Sequence, residues 1–517
     1  MDPEARTPTS LPEMTRRTLL RLAGASATAA SLAAHGMLPA VAQDQQHVVV
    51  VLPEEPPDLD PFYYALSHIP VTRNIYDALV DRDGQRPDLL PGLATEWTAT
   101  TPTTWRFTLR SGVTYHNGAP FNAESAAFAI NYVMNNQTQA TGNFVAGTAA
   151  AAIDELTLEV TTPTPDPILP RRLYLVGLPE PKSFGVDPVA ASRAPVGTGP
   201  YRLVDYKGGD RITVEAYPEY WGDAPAITSA EFVYRTESSV RFSMAETGEA
   251  DIARDIAPQD AGQARVLAVT IPETPFLRLD VPSPPLSDLR VRQAIDCAID
   301  RTELVRTVFG GYAEPAGDIV TSSVVGYNPA LAPTPYDPQK AKDLIAAAQA
   351  DGVPVDLELT IFGRNGIYAN AAEAMEIVQA WLQAVGLNVT VSMMDVKPWT
   401  DVILQQPIPE DRRGLIQSSA GVEMGDASLP IGGYFTSTGS QSPLRDTKID
   451  EMQAAAQVLD GEERNKAYQD LLQYVHDTHL PFIPMVHLQA IYAVSDRTTW
   501  EPRVDNLILL KDVQITG

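Results

Sequence analysis

The chain has 517 residues, 44% hydrophobic and 20% charged, which suits a globular protein of two or three domains. Its formal net charge of -27 excludes partners held through phosphate contacts, nucleic acid and anionic membrane among them. The single cysteine, Cys297, excludes an intrachain disulfide; between Ala294 and Ala298 it is a core thiol rather than a nucleophile.

TRRTLLR at positions 15–21 resembles a twin-arginine export motif. A weakly apolar run follows it and ends in Ala40-Val41-Ala42, a small-x-small cleavage site. Residues 1–42 are therefore expected to be a signal peptide directing the chain to the periplasm. The run is interrupted by Ser26, Thr28, Ser31, His35 and Gly36, which argues against a membrane span.

His47 to Leu52 reads as a short apolar strand. It leads into PEEPPDLDPFYYALS, where Phe62, Tyr63 and Tyr64 could stack on a ligand or pack half-buried in the loop. Asn74 to Val80 reads as a helix. Trp105, Phe107 and Leu109 alternate as a half-buried strand, turns fall at Ser111-Gly112 and Asn117-Gly118, and Asn122 caps a helix. His116 lies in a turn with no second ligand at metal spacing. Residues 150–161 read as a strand. Tyr201, Leu203, Ile212 and Val214 predict a hairpin around Gly208-Gly209, and Glu237 to Thr247 a helix stopped by Gly248.

Phe276 to Val281 reads as a crossing between two lobes. In PPLSDLRVRQAIDCAIDRTELVRTVFGG, Ser287 is an N-cap for a first helix, Asp300 with Glu303 caps a second, and Gly310-Gly311 ends it. Asp337-Pro338 opens a further helix. Val355, Leu357, Leu359 and Ile361 alternate as a strand. With a helix from about Asn370 to Val385 and the strand LNVTVSMM they form a β-α-β unit, hence a parallel pair. HLPFIPMVHLQAIYAV supplies the return crossing.

The segment PPLSDLRVRQAIDCAIDR resembles the signature of periplasmic solute-binding proteins of the dipeptide/oligopeptide class (family 5) of ABC importers. IYDALV, VGTGPY with PEYWG, and GEADI resemble further blocks of that family. The GTG of VGTGPY is not a phosphate loop, because it lacks G-K-[ST] and Pro200 follows. The resemblance implies an α/β, bilobal periplasmic-binding-protein fold with two hinge strands and a small extra domain inserted in the first lobe. The expected first lobe is 43–81, 197–280 and 489–517; the extra domain is 82–196; the second lobe is 281–488. The implied function is capture of a small solute, a di- or oligopeptide, between the lobes and its delivery to permease subunits in the inner membrane. The chain is expected to act as a monomer, without cofactor or metal. The alternatives are a non-peptide ligand (a metal chelate, an opine or an oligosaccharide) and, outside the class, a periplasmic hydrolase. No G-x-S-x-G, H-E-x-x-H, Walker motif or Cys/His cluster supports the last.

The resemblance also implies site residues. Arg364 in FGRNG matches a basic residue that holds a ligand carboxylate in peptide-binding relatives, for which a guanidinium fork is suited. AGVEMGD matches a W-x-G-D-x-G-D loop that pairs with a ligand α-amino group, placing Asp426 at its last aspartate and Glu423 at its first acidic position. Ala420 replaces the tryptophan, and Trp399 is a candidate substitute wall. Arg364 and Asp426 are expected to lie hydrated in an open cleft, so that their removal leaves the stability of the protein unchanged.

Overall fold

The computed structural model describes residues 46–65, 67–262, 265–422 and 424–516. The proposed signal peptide and Glu423 lie outside them. From Val48 onward the chain is one compact unit. Among the described residues no helix is long and apolar enough to cross a membrane.

Two sheets organise this unit. The first runs in the order Val266–Thr270, Val486–Val494, Ile252–Ala253, His47–Leu52, Ser229–Tyr234, Arg211–Ala216, Tyr201–Lys207, and Ala313–Pro315 pairs onto Val486–Val494. The second runs Val389–Met394, Leu359–Arg364, Gly414–Gly421, Glu273–Leu279, Phe482–Pro484. Helices cover both, and each carries its own apolar core. A four-stranded antiparallel sheet, Ala94–Thr101, Thr104–Leu109, Thr157–Thr161 and Ala149–Ala152, packs with helix Ala123–Asn135 as a smaller body. That helix starts on a reciprocal cap between Asn122 and Ser125.

The chain passes between the large sheets twice. It leaves the first after Thr270 and enters the second at Glu273; it returns between Pro484 and Val486. The crossings lie side by side, with Ile271 N–H donating to Leu488 O (3.0 Å) and Met485 N–H to Pro275 O (2.9 Å). The change of sheet therefore falls earlier than the expected 280/281 boundary, and the return earlier than 488/489. The reason is pairing: Glu273–Leu279 is bonded to Gly414–Gly421 and Phe482–Pro484, all in the second sheet.

The signature segment forms helices Leu289–Ala298 and Arg301–Thr307. Asp288 rather than Ser287 caps the first, accepting from Arg290 N–H; Asp300 caps the second through Glu303 N–H. Cys297 is buried in the core of the second lobe. Three charged signature residues, Arg292, Asp296 and Arg301, face inward, whereas Arg290 pairs with the exposed Asp351. Arg301 pairs with Asp296 and donates to Pro484 O, just before the return crossing, and Arg292 donates to His479 O. The signature thus ties its helices to the hinge rather than to a ligand.

The β-α-β unit is present, with Leu359–Arg364 parallel to Val389–Met394 around helix Ala371–Ala384. Val355 and Leu357 stand outside the strand, in turns beginning at Val353 and Pro354. The 150–161 stretch is a hairpin of two strands rather than one. The helix expected over Asn74 to Val80 instead spans Ile69–Ile75 and gives way to strand Val80–Arg82. It stops because the Ile75 carbonyl accepts the Gly199 N–H (2.9 Å) and Tyr76 turns extended.

Candidate functional site

Both lobes line two cavities. The one beside the crossings has a volume of about 320 Å³ and is walled by Ile256, Ile271 and Ile491 on one side, Phe309, Tyr312 and Tyr368 on the other. The one nearer the small domain is about 250 Å³, with Tyr64, Gln139 and Leu175 facing Val422, Met424 and Pro430.

Arg364 ends the parallel strand Leu359–Arg364. Its guanidinium sits 5.4 Å from the centre of the Trp399 ring, and its buried Nε has no hydrogen-bond partner among the described residues. Its backbone N–H donates to Gln417 Oε1 (2.9 Å), and Gln417 Nε2 donates to the Tyr368 hydroxyl (2.7 Å), which borders the crossing-side cavity. Trp399 is itself buried, donating from Nε1 to Gln417 O (2.9 Å). Arg364 and Trp399 thus come together, with Trp399 as the platform under the guanidinium.

Asp426 borders the small-domain cavity, but its carboxylate is engaged within the protein. It is 0% exposed, and Arg464 donates to both carboxylate oxygens at 2.8 Å, while Ser428 N–H adds a third bond. Burial works to raise its carboxyl, but the bonds and charge of Arg464 outweigh it and hold the group below the ordinary carboxylate range. The expectation of a hydrated aspartate is therefore overturned: Asp426 is neutralised inside the protein. Helix Gly461–Thr478 supplies the partner, and no motif in the sequence marks Arg464.

Tyr64 borders the small-domain cavity, and its N–H donates to Gln139 Oε1 (2.6 Å). Tyr63 packs at the surface on His68, ring centres 4.3 Å apart. His116 accepts from Gly197 N–H at Nδ1 and so donates from Nε2 to Gly199 O (2.9 Å); burial pushes it down to about 4. It braces the GTG turn. Gln139 and Tyr368, which border the cavities, and Gln417, which links Tyr368 to Arg364, were not legible, because a single amide or tyrosine carries no spacing signal.

Residues 88–442 match the family model described as bacterial extracellular solute-binding proteins, family 5 Middle. A glutathione-binding protein of Pectobacterium atrosepticum is 25% identical over 441 residues, 80% of this chain and 83% of that one. A nickel-binding periplasmic protein of Escherichia coli is 28% identical over 364 residues, 64% and 68%. The crystal structure of an ABC transporter substrate-binding protein of Listeria monocytogenes superposes with a TM-score of 0.80 at 20% identity, covering 91% of this chain and 99% of that one. The chain belongs to the family 5 bacterial extracellular solute-binding proteins, substrate-binding components of ABC importers that bind a small ligand and engage permease components without being enzymes.

Proposed function

We propose that this protein captures a small carboxylate-bearing solute, a short peptide by preference, in the periplasm and passes it to permease subunits in the inner membrane as a monomer. In this reading the first 42 residues are a twin-arginine signal peptide, and the lobes divide at Ile271 and Met485. Arg364 pairs with the carboxylate over Trp399, and Tyr64 adds a wall at the small-domain end. Tyr63, at the surface, is a candidate outer contact, and Glu423 is a candidate partner for a ligand amine. Asp426 serves instead through its ion pair, by fixing the loop after strand Gly414–Gly421. Ligand contacts from both lobes favour the closed form and shift a hinge equilibrium.

The observation that carries the reading is Arg364: a half-buried guanidinium ends a parallel strand, its buried Nε has no partner among the described residues, and its backbone is linked through Gln417 to Tyr368 at the crossing-side cavity, which suits it to meet an anion. A non-peptide ligand such as a metal chelate is the second reading. It is favoured by the engagement of Asp426 with Arg464 and by the nickel-binding relative. Native mass spectrometry of the purified protein separates the two. A co-purified species with a peptide mass supports the first and a metal-containing species the second; either should be recovered intact after prolonged incubation.

A further inference from the structure

Arg82 closes strand Val80–Arg82, which pairs with Leu89–Pro91 on the small-domain side of the cleft. Its side chain reaches the second lobe and is 1% exposed there. Nη2 donates to the Ser323 carbonyl at 2.8 Å. The guanidinium also covers Gly425: a Cβ at that glycine, whose φ is +66°, would lie 2.9 Å from the Arg82 guanidinium carbon. The two second-lobe segments it touches form one piece, since Val325 N–H donates to Gly425 O and Ala427 N–H to Val325 O, both at 3.0 Å. The ion pair of Asp426 with Arg464 anchors that piece to helix Gly461–Thr478.

Met424, in the same loop, crosses in the other direction. It is 5% exposed and packs into the apolar cluster of Phe62, Leu169, Leu173 and Leu175. Arg82 is mounted firmly on its own side: Arg503 Nη2 donates to the Arg82 carbonyl (2.8 Å), Arg503 pairs with Asp505 (2.6 Å), and the Tyr174 hydroxyl donates to Asp505 (2.8 Å).

We propose that Arg82 and the Met424-Gly425 loop form a solute-independent latch across the cleft, so that the protein samples the closed form before any solute binds. Every partner in these contacts is a protein group, and the contribution to closure is therefore the same whatever the solute. Opening breaks the Ser323 bond and brings Met424 into water. Hydrogen bonds to charged groups and burial of one large apolar side chain each move such an equilibrium by roughly tenfold or more. A solute that binds only the closed form gains apparent affinity in proportion to the closed fraction. Gly425 is required twice, by its left-handed φ and by the guanidinium above it.

The test reads the distance between spin labels at Val186→Cys and Val458→Cys, positions 86% and 57% exposed on opposite sides of the cleft; Cys297 is buried and takes no label. The full chain is stripped of solute by unfolding in guanidinium chloride, dialysis and refolding. The stripped parent should show a short-distance population besides the long one. Arg82→Ala should reduce the ratio of short to long by about tenfold or more. Arg82→Lys keeps a donor for Ser323 but loses the cover over Gly425, and should fall between. A stripped parent with only the long distance overturns the latch, as does an Arg82→Ala distribution equal to the parent's. If Arg82→Ala does not fold, Arg82→Lys and Met424→Ala, each with native far-ultraviolet circular dichroism, take its place: reduced short-distance populations support the latch, and unchanged populations in both overturn it.

Discussion

Arg464 grips Asp426 through two hydrogen bonds of 2.8 Å, and neither side chain is more than 3% exposed. Removing one partner leaves the other as a buried charge, which costs about 3–5 kcal/mol. Asp426→Ala and Arg464→Ala should each destabilise the protein by that amount in urea unfolding. The double variant Asp426→Ala/Arg464→Met should lose less than the sum of the two, because no lone charge remains. Additive losses would mean that the ion pair is not the coupled unit the geometry describes.

Arg364 predicts the opposite pattern. Its guanidinium rests on Trp399, and among the described residues it has no buried acid to abandon. Arg364→Ala should change the melting temperature little while weakening binding of the solute identified by native mass spectrometry. Truncating one side of a buried charge pair costs roughly 2–5 kcal/mol, which is about thirtyfold or more in Kd. Calorimetry with parent and variant decides it; affinities within about threefold of each other would place the anion elsewhere.

The turn VGTGPY makes a packing prediction. A Cβ at Gly197 would lie 2.1 Å from the Ile75 carbonyl oxygen, and one at Gly199 2.7 Å from it. Gly197→Ala should destabilise the protein by about 1–3 kcal/mol, the usual cost of overpacking. Chemical denaturation of the purified variant measures it. The glycines serve this close approach and the His116 brace, not a phosphate.

Local patterns were legible in the sequence wherever the physics is local. The Asn122, Asp300 and Asp337 caps, the Gly248 stop and the hairpin around Gly208-Gly209 all depend on neighbours in the chain. The family blocks conveyed the rest of the architecture. Long-range pairing was not legible. The Ile75 carbonyl is taken by Gly199, 124 positions on, and so the helix stops where an apolar run continues. Asp426 is a candidate ligand contact by motif, but Arg464 lies 38 positions away with nothing to announce it. The place of Arg364 at the end of its strand was legible, because a strand-ending residue keeps its place whatever packs around it.

Export is testable from the sequence alone. The pair Arg16-Arg17 within TRRTLLR motivates replacing both by lysine and fractionating cells. The variant should remain in the cytoplasm. Undiminished periplasmic delivery would leave a signal peptide of the general type only.

The last prediction concerns pH. Asp318 lies in a small apolar recess formed with Leu331, Phe435, Leu472, Val475 and Phe482. Oδ1 accepts the Ile319 N–H at 2.6 Å, and Oδ2 has no partner among the described residues. Burial pushes this carboxyl up to about 7 from 3.8. The folded state therefore binds more protons than the unfolded state between about pH 4 and 7, and stability falls as pH rises through that window. The penalty is absent below the unfolded value and complete above 7. Two histidines act in the other direction: burial pushes His116 and His487 down to about 4, so their cost falls away as pH rises from 4 to 6.5. The titratable group bordering the same recess is His476, itself paired with Asp477. Asp318→Asn keeps the shape, removes the charge and leaves the histidines in place, so the difference from the parent isolates one carboxyl. The variant should be more stable than the parent at pH 8 by a margin on the order of 1.4 kcal/mol for each tenfold change in proton affinity. At pH 5 the margin should shrink to roughly a third of its value at pH 8. Urea unfolding at the two pH values measures both margins, and equal margins would mean that Asp318 is solvated in the folded protein.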